Sequence, residues 1–412
     1  MKELARNSKM ASKKLRRLDN STRKKVLNEL ADELINRQNE IIEANKKDLA
    51  YAKEAKLNSA MTDRLKLDEK GIEGMVAGVR AISEQEEVVG SFFKEFTQDN
   101  GLKIKRQRIP LGVILMIFES RPNVVVDCAA LAIKSSNAIV LKGGKEAKHS
   151  NEVLGKIIQE TIGKHIPKES VQVLASDKRE VVDELLELDE FIDVVIPRGG
   201  ERLINHVYKQ AKMPVIAHFQ GLCHMYLDDK ADLEKALNLV VNAKTQRTGV
   251  CNAIETVLIH KNLVPKIAQD LTKRLQEKGT ELRVDKEFMT HSKAELKEAN
   301  EQDWATEYLE NILSIKTVDG LDGAIEHIDK YGSHHTEVIV SEDQAAQDKF
   351  LSSVDASCVV VNASSRFNDG GQLGLGAELG ISTTKIHAYG PMGAEQMTTT
   401  RFVVMGEGQI RE

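Results

Sequence analysis

The amino-acid sequence predicts an α/β protein with two successive parallel sheets. From Leu111 onward, short runs of apolar residues alternate with stretches of helical periodicity. Runs that are apolar throughout are typical of parallel strands buried on both faces, and the helices between them are the crossovers that such sheets require. The 412 residues also suffice for about two to three domains.

The first 90 residues are predicted to be helical, because Leu and Ile recur at helical spacing among charged residues and no proline interrupts them. Residues 91–107 then read as a β-hairpin around the turn Asp99-Asn100-Gly101. An exposed hairpin edge favours pairing with another chain. We therefore expect this hairpin and the C-terminal segment 396–412 to join subunits, with a homodimer as the minimum.

Two alternating sets of strands and helices follow. The first set is predicted to have strands at 112–118, 138–141, 171–174, 192–196, 214–217 and 225–227, with helices at 123–136, 147–162, 178–188 and 201–211. The second is predicted to have strands at 255–259, 337–340 and 358–361, with helices at 232–246, 261–278, 319–330 and 343–352. The boundary between the two sets is predicted near residue 226.

Composition excludes several classes of function. A net charge of −5 and an aromatic content of 4% give no general reason to expect nucleic acid. The four cysteines are widely separated, so neither a disulfide scaffold nor a zinc ribbon is indicated, and a reducing cytoplasm is expected. The histidines show no metal-binding spacing, and no apolar stretch reaches the length of a membrane helix.

One cysteine is a candidate nucleophile. Cys251 lies in a loop between a predicted helix and a predicted strand, and Arg247 in the same loop supplies the positive charge that favours a thiolate. The alternative is that Cys251 is a small buried residue. The other three cysteines, Cys128, Cys223 and Cys358, fall in apolar helix or strand sequence and are predicted to serve packing.

Two strand ends are candidate nucleotide sites. Arg198-Gly199-Gly200 follows a strand and precedes a helix, which presents free backbone N–H groups to a phosphate. Lys142-Gly143-Gly144-Lys145 ends another strand, and its lysines suit a ribose that carries a 2′-phosphate. A plain strand–helix turn remains the alternative for the first, and lysines that are only solvated remain the alternative for the second.

Longer motifs extend along nearly the whole chain. They are Ala44-Asn45-Lys46-Lys47-Asp48-Leu49, Glu119-Ser120-Arg121-Pro122-Asn123-Val124, Lys142-Gly143-Gly144, Arg247-Thr248-Gly249-Val250-Cys251-Asn252-Ala253, Asp303-Trp304-Ala305-Thr306-Glu307-Tyr308-Leu309 and Leu375-Gly376-Ala377-Glu378-Leu379-Gly380. On these motifs the chain resembles the aldehyde dehydrogenase superfamily. The resemblance implies a Rossmann-type NADPH-binding domain (1–90 and 108–226), an α/β catalytic domain (227–395) and a small β oligomerisation element (91–107 and 396–412).

The resemblance also implies an activity. It is the NADPH-dependent reduction of L-glutamate 5-phosphate to L-glutamate 5-semialdehyde and phosphate, in proline biosynthesis, through a thioester on Cys251. Asn123 would stabilise the oxyanion, Lys142 and Glu307 would bind the two riboses, and Gly199 and Gly200 the pyrophosphate. Arg198 is added as a cofactor contact from its charge alone. Association with glutamate 5-kinase is a further partnership that the sequence leaves open.

Two departures from the superfamily bear on this activity. Hydrolytic members place a glutamate before a double glycine, whereas the matching stretch here, residues 215–221, has no carboxylate. Leu309 stands where the superfamily has a phenylalanine. The alternatives are an NAD(P)-dependent aldehyde dehydrogenase that forms an acid, and a binding protein that acts through the basic residues of segment 2–17.

Overall fold

The computed structural model describes residues 1–57, 59–176, 178 and 180–411. The chain forms two compact units. The first comprises Met1–Ala217, Gly374–Gly380 and Lys385–Glu412, and the second comprises His218–Leu373 and Ile381–Thr384. No helix in the described ranges is both long and apolar enough to cross a membrane.

The helices are numbered along the chain. They are α1 (Lys2–Leu15), α2 (Asn20–Asn36), α3 (Gln38–Glu54), α4 (Ser59–Leu65), α5 (Glu69–Glu84), α6 (Asn123–Lys134), α7 (Lys148–Ile162), α8 (Glu180–Leu186), α9 (Glu201–Gln210), α10 (Leu233–Thr245), α11 (Val264–Glu277), α12 (Lys286–His291), α13 (Glu301–Trp304), α14 (Leu321–Tyr331) and α15 (Gln344–Ser353). Short 3₁₀ turns lie at Lys145–Ala147, Lys168–Ser170 and Ser365–Phe367.

The strands are numbered in the same way. They are β1 (Phe92–Thr97), β2 (Lys103–Pro110), β3 (Val113–Phe118), β4 (Ala138–Lys142), β5 (Val171–Leu174), β6 (Val194–Arg198), β7 (Cys223–Leu227), β8 (Ile254–His260), β9 (Glu281–Val284), β10 (Lys297–Glu298), β11 (Ile312–Val318), β12 (Thr336–Val340), β13 (Cys358–Val361), β14 (Ile381–Ser382), β15 (Gly390–Pro391) and β16 (Thr398–Met405).

The first unit is built on a four-stranded parallel sheet with strand order β5-β4-β3-β6. Every residue of β3 is buried, as expected of a strand covered on both faces. From β3 the chain adds β4 and β5 on one side and then returns to the other side for β6. This reversal between β3 and β6 is a topological switch point, where open α/β sheets bind their ligands.

The basic N-terminal segment is a packed helix. Ala5, Ala11 and Leu15 form the buried side of α1, while most of the lysines and arginines of α1 point to solvent. Lys9 binds the Asp193 carboxylate with an Nζ–Oδ1 distance of 2.7 Å. The segment is therefore part of the first unit and has the amphipathic character of an ordinary surface helix.

The predicted hairpin is confirmed. Strands β1 and β2 pair antiparallel around the turn at Asn100-Gly101, and β16 adds to the other edge of β2. Phe92, Phe93 and Phe402 are each more than half exposed on this three-stranded sheet. Exposed aromatic residues at this density are typical of a surface that another protein covers.

The second unit is built on a seven-stranded parallel sheet, with strand order β10-β9-β11-β8-β7-β12-β13. Alternate residues of its central strands enter cores on opposite faces, with Met225 and Val257 in one and Tyr226 and Leu258 in the other. The predicted α/β class with two parallel sheets is confirmed. Strands β9, β10 and β11 were not predicted, because β9 and β10 are short and β11 alternates with polar residues.

Other sequence expectations differ from the structure. No strand forms at 214–217, where the chain touches the sheet through a single bridge from Val215 to Val195. The units divide at Ala217–His218 and not near 226, because β7 pairs with β8 and β12. Residues 374–380 and 385–395, predicted to lie in the catalytic domain, belong to the first unit.

The exposed sheet generates a prediction about oligomeric state. Phe402 and Val404, 61% and 56% exposed, are two residues apart on β16 and so share a face. We expect the wild-type chain to sediment as a dimer or a higher oligomer, and the double variant Phe402→Asp, Val404→Asp to sediment as a monomer. Leu351→Asp, which places one such charge on exposed helix α15, should leave the assembly intact. A monomeric wild type in analytical ultracentrifugation would contradict this.

Candidate active site

Cys251 lies on the loop between α10 and β8 of the second unit. Its side chain is partly exposed, as a nucleophilic thiol requires. The loop is seated on Gly221, where an added Cβ would overlap the Cys251 carbonyl oxygen, Cα and Cβ. A glycine at 221 therefore allows the loop to take this position. Gly221 is the residue of the 215–221 stretch that contacts Cys251.

A second cysteine, Cys223, binds the main chain of this loop. The buried Cys223 thiol donates to the Cys251 carbonyl oxygen over 3.1 Å and lies 3.5 Å from His335 Nδ1. Burial raises the pKa of the Cys223 thiol, and likewise the pKa values of Cys128 and Cys358. Thiols of this kind are poor nucleophiles. The predicted packing role of these three cysteines matches their surroundings.

The turn Ser365–Phe367 lies against the same loop. Ser365 Oγ donates to the Asn252 carbonyl oxygen over 2.6 Å, and Asn252 Nδ2 donates to the Asn368 carbonyl oxygen over 2.9 Å. Arg366 Nε donates to Gln246 Oε1 over 3.0 Å at the start of the loop. Sequence reasoning missed Arg366, because more than a hundred residues separate it from Cys251 and no local motif marks it.

The predicted ribose contact Glu307 lies on a turn fixed by a buried ion pair. The Leu309 N–H donates to Glu255 Oε1 over 3.2 Å, and Lys244 Nζ lies 2.6 Å from Glu255 Oε2. Burial raises the pKa of Glu255 to about 7, although Lys244 opposes the shift. Leu309 has a positive φ of 54° and is 42% exposed, so the turn presents this side chain to solvent.

The charge of Glu307 acts on ionisable groups around the Cys251 loop. This charge contributes to raising the pKa values of Cys223 and Glu255 and opposes the lowering of the Lys244 pKa by burial. The second unit thus brings Glu307 near the support of Cys251. The side chain is partly exposed, so it remains accessible to a polar ligand.

The other predicted residues meet at one edge of the first unit's sheet. Lys142 ends β4 and pairs with Ile117, while Arg198 ends β6 and pairs with Phe118. Asn123 begins α6, which follows β3. All three therefore follow the carboxyl ends of neighbouring parallel strands, at the switch point where a dinucleotide is expected.

The backbone at Gly199–Gly200 binds the side-chain carboxylate of Glu119. The Gly200 N–H donates to Glu119 Oε2 over 2.9 Å at the start of α9, a helix of ten residues. A Cβ at Gly199 would meet Glu119 and Leu203, so the backbone there is tightly enclosed. A backbone N–H that binds a carboxylate oxygen at the start of a helix is also able to bind a phosphate oxygen.

The two basic residues at this edge have partners of their own. Lys142 is 7% exposed, and its Nζ donates to the Gly143 carbonyl oxygen over 2.7 Å, whereas Lys145 is exposed. Arg198 Nη1 donates to the Leu379 carbonyl oxygen over 2.7 Å. Arg198 is thus engaged with segment 374–380 of its own unit, a contact that its charge alone did not predict.

Asn123 is oriented by a neighbour on its own helix. Its Nδ2 donates to Asp127 Oδ2 over 3.0 Å, one turn along α6. Burial raises the pKa of Asp127 to about 6, with the Asn123 hydrogen bond and the charge of Arg198 acting in the opposite direction. Because Asp127 accepts one amide hydrogen, the Asn123 Nδ2 keeps a second hydrogen for another acceptor.

The geometry gives each unit one chemical capacity. The second unit presents a partly exposed thiol on a loop whose backbone is fixed by Gly221, Cys223 and Ser365. The first unit presents a switch-point edge with helix N-terminal N–H groups and lysines. These capacities are those of thiol-based acyl transfer and of dinucleotide binding.

Comparison with known proteins agrees with both capacities. The family model described as Aldehyde dehydrogenase family matches residues 1–301. A gamma-glutamyl phosphate reductase of Nitratiruptor sp. is 47% identical over 416 residues, covering 100% of both chains. One of Geobacter sp. strain M21 is 47% identical and covers 100% of this chain and 98% of its own.

Solved structures extend the comparison. The crystal structure of gamma-glutamyl phosphate reductase from Thermotoga maritima has a TM-score of 0.96 at 40% identity, covering 100% of this chain and 99% of that chain. An engineered glycolyl-CoA reductase with bound NADP⁺ shares the fold, with a TM-score of 0.69 at 18% identity, covering 98% of this chain and 96% of that one. The resemblance predicted from the motifs is confirmed. The chain belongs to the aldehyde dehydrogenase family and, within it, to the gamma-glutamyl phosphate reductases.

Proposed function

We propose that this chain catalyses the NADPH-dependent reduction of L-glutamate 5-phosphate to L-glutamate 5-semialdehyde and phosphate, a step of proline biosynthesis. The observation that carries the proposal is the partly exposed thiol of Cys251, on a loop that closely packed backbone holds in place. Full-length relatives that are 47% identical and bear the name of this reductase support the same substrate.

The reaction begins at the Cys251 thiolate. Its sulfur attacks the carbonyl carbon of the acyl phosphate, the carbon–oxygen bond to phosphate breaks, and the bonding electrons leave with the phosphate. The product is a thioester on Cys251. The nicotinamide, when bound, supplies the hydride that reduces this thioester. Hydride addition leaves a thiohemiacetal oxyanion on Cys251. As its carbon–oxygen double bond re-forms, the carbon–sulfur bond breaks, which releases the aldehyde and restores the thiolate.

The thioester has to be kept from water. The 215–221 stretch ends at Gly221, which packs against Cys251, and it contains His218, Phe219 and Gln220 but no carboxylate. A glutamate at this point would act as a general base toward water. Its absence supports phosphate as the acyl partner and disfavours oxidation of an aldehyde to its acid.

Two groups are proposed to stabilise the oxyanion of the tetrahedral stages. They are the Cys251 backbone N–H and the second amide hydrogen of Asn123. The contact with Asp127 is compatible with this assignment, because it uses one hydrogen of the Asn123 Nδ2 and leaves the other to donate. A single donor of this kind contributes about 3 kcal/mol to the transition state.

The cofactor contacts are proposed on both units. Lys142 and Lys145 would bind the adenosine ribose and its 2′-phosphate, and Gly199 and Gly200 the pyrophosphate. Glu307 would bind the nicotinamide ribose, and Arg198 would contribute its charge near the pyrophosphate. The first unit is therefore assigned as the NADPH-binding domain and the second as the catalytic domain.

Assembly and location complete the proposal. The exposed sheet of β1, β2 and β16 is assigned to contact between copies of the chain. The four free cysteines fit a reducing cytoplasm.

The nucleophile is tested with Cys251→Ala. In the reverse direction, this variant should lose phosphate-dependent NADPH formation from glutamate semialdehyde by at least about 10³-fold, because no thioester can form. NADPH binding, followed by fluorescence titration, should persist. Cys358→Ala, at a thiol of similar exposure in β13, should retain activity within about twofold. Full activity in Cys251→Ala would overturn the mechanism.

The oxyanion assignment is tested with Asn123→Ala. We expect kcat to fall by about 10²–10³-fold while KM changes little, because the lost hydrogen bond acts in the transition state. Steady-state kinetics in the reductive direction measures both quantities. Asn36→Ala, at an exposed asparagine of α2, serves as the control. A variant in which KM rises at constant kcat would assign Asn123 to substrate binding instead.

Cofactor choice is tested at Lys145. The wild type should bind NADPH more tightly than NADH. Lys145→Gln should raise the Kd for NADPH about 10-fold and that for NADH by less than about twofold, since only NADPH carries the 2′-phosphate. Lys164→Gln, at an exposed lysine of the same unit, should change neither. Isothermal titration calorimetry measures both constants, and a wild type that prefers NADH would refute the roles of Lys142 and Lys145.

A further inference from the structure

A turn that carries the positively charged Arg366 contacts the loop that carries Cys251. Arg366 lies on the turn Ser365–Phe367, between Ser365, which binds the Asn252 carbonyl oxygen, and the segment whose Asn368 carbonyl oxygen accepts from Asn252. Its Nε is bound to Gln246, next to Arg247. These contacts place the Arg366 guanidinium beside the Cys251 loop, on the side where the loop begins.

The Arg366 guanidinium keeps N–H groups that donate to no acceptor among the described residues. Across the described residues, the two terminal nitrogens of Arg366 have no acceptor, and only Nε is engaged. The acidic group that acts most strongly on it, Asp369, already accepts from the backbone N–H groups of Gly371 and Gln372. A planar guanidinium with two free nitrogens is suited to bidentate binding of an oxyanion.

The surrounding charges indicate the same ligand. Burial lowers the pKa of Arg366, and the positive charge of Arg247 lowers it further, while Cys251 and Asp369 act in the opposite direction. Arg247 is exposed and has no ion-pair partner among the described residues. Two cations that repel each other next to a thiol are stabilised when an anion binds between them.

The substrate has two anionic groups, and position distinguishes them. The phosphoryl group is attached to the carbonyl carbon that Cys251 attacks, whereas the α-carboxylate lies at the far end of the side chain. Because the turn that carries Arg366 is hydrogen-bonded to Asn252, the residue after Cys251, the anion beside Arg366 is the one nearest the reacting carbon. His335 offers no charge to a carboxylate, because it is fully buried and burial lowers its pKa to about 3.

We propose that Arg366, assisted by Arg247, forms the subsite that binds the phosphate group as it leaves the acyl carbon. This inference rests on the proposed function and deepens it. In the reductive direction the subsite takes up the charge that develops on phosphate as the carbon–oxygen bond breaks. In the reverse direction it holds inorganic phosphate while one of its oxygens attacks the thioester carbon and the Cys251 thiolate leaves.

The reverse reaction tests the subsite, because inorganic phosphate is then a separate substrate. NADPH formation is measured with glutamate semialdehyde and NADP⁺ while phosphate is varied. Arg366→Gln should raise the KM for phosphate about 10- to 100-fold and leave the KM for semialdehyde within about twofold. Arg366→Lys should give an intermediate KM for phosphate, since it keeps the charge without the bidentate geometry.

Two further variants complete the series. Arg247→Gln, at an exposed position, should raise the KM for phosphate by a smaller factor and should fold like the wild type. Arg274→Gln removes the same charge from α11, where the side chain pairs with Glu234, and should leave the KM for phosphate unchanged. In addition, inorganic phosphate should slow alkylation of Cys251 by iodoacetamide, at higher phosphate concentrations in Arg366→Gln than in the wild type.

The possible outcomes distinguish a failure of the phosphate subsite from a failure of the proposed reaction. If Arg366→Gln raises the KM for semialdehyde and not that for phosphate, the anion is the α-carboxylate and the subsite is refuted. An unchanged KM for phosphate in both Arg366→Gln and Arg247→Gln also refutes it, while phosphate-dependent turnover in the wild type would leave the proposed function standing. If Arg366→Gln fails to fold, Arg247→Gln and the alkylation of wild-type Cys251 decide.

Discussion

The position of the Cys251 loop depends on a close backbone contact at Gly221, where there is no room for a side chain. At Gly221 the backbone packs directly against the main chain of Cys251, and any Cβ would displace the loop that carries the nucleophile. With that position fixed, Cys223 can bind the Cys251 carbonyl oxygen and Ser365 the neighbouring one at Asn252. Close packing here provides the preorganisation that a nucleophile needs before substrate arrives.

Parallel strands explain why distant residues share a site. All strands of such a sheet end at one edge, so the segments that follow them meet whatever their separation along the chain. In the first unit this gathers Lys142, Arg198 and the Glu119 carboxylate around one switch point. The second unit needs further contacts, since Cys251 precedes β8 while the turn that carries Arg366 follows β13, and the hydrogen bond from Ser365 to Asn252 brings them together.

Much of the fold was predictable from sequence, because buried parallel strands and an Asn-Gly hairpin turn are local patterns. The position of Cys251 on a partly exposed loop was predictable as well, from the helix before it and the apolar run after it. Strand β11 was not, since its alternation with polar residues hides a strand that lies within a parallel sheet. Glu119 and Arg366 act through contacts that span tens to hundreds of residues, and neither contact leaves a local sequence signal.

The Glu119 carboxylate at the start of α9 has a thermodynamic consequence. Since it already accepts the Gly200 N–H, a phosphate that binds there has to displace it. Association is then an exchange of one anion for another, and part of the gain from the helix N-terminus is offset by the bond that is given up. At the proposed pyrophosphate site, the Glu119 carboxylate would therefore lower the affinity for the cofactor by competing for the Gly200 N–H.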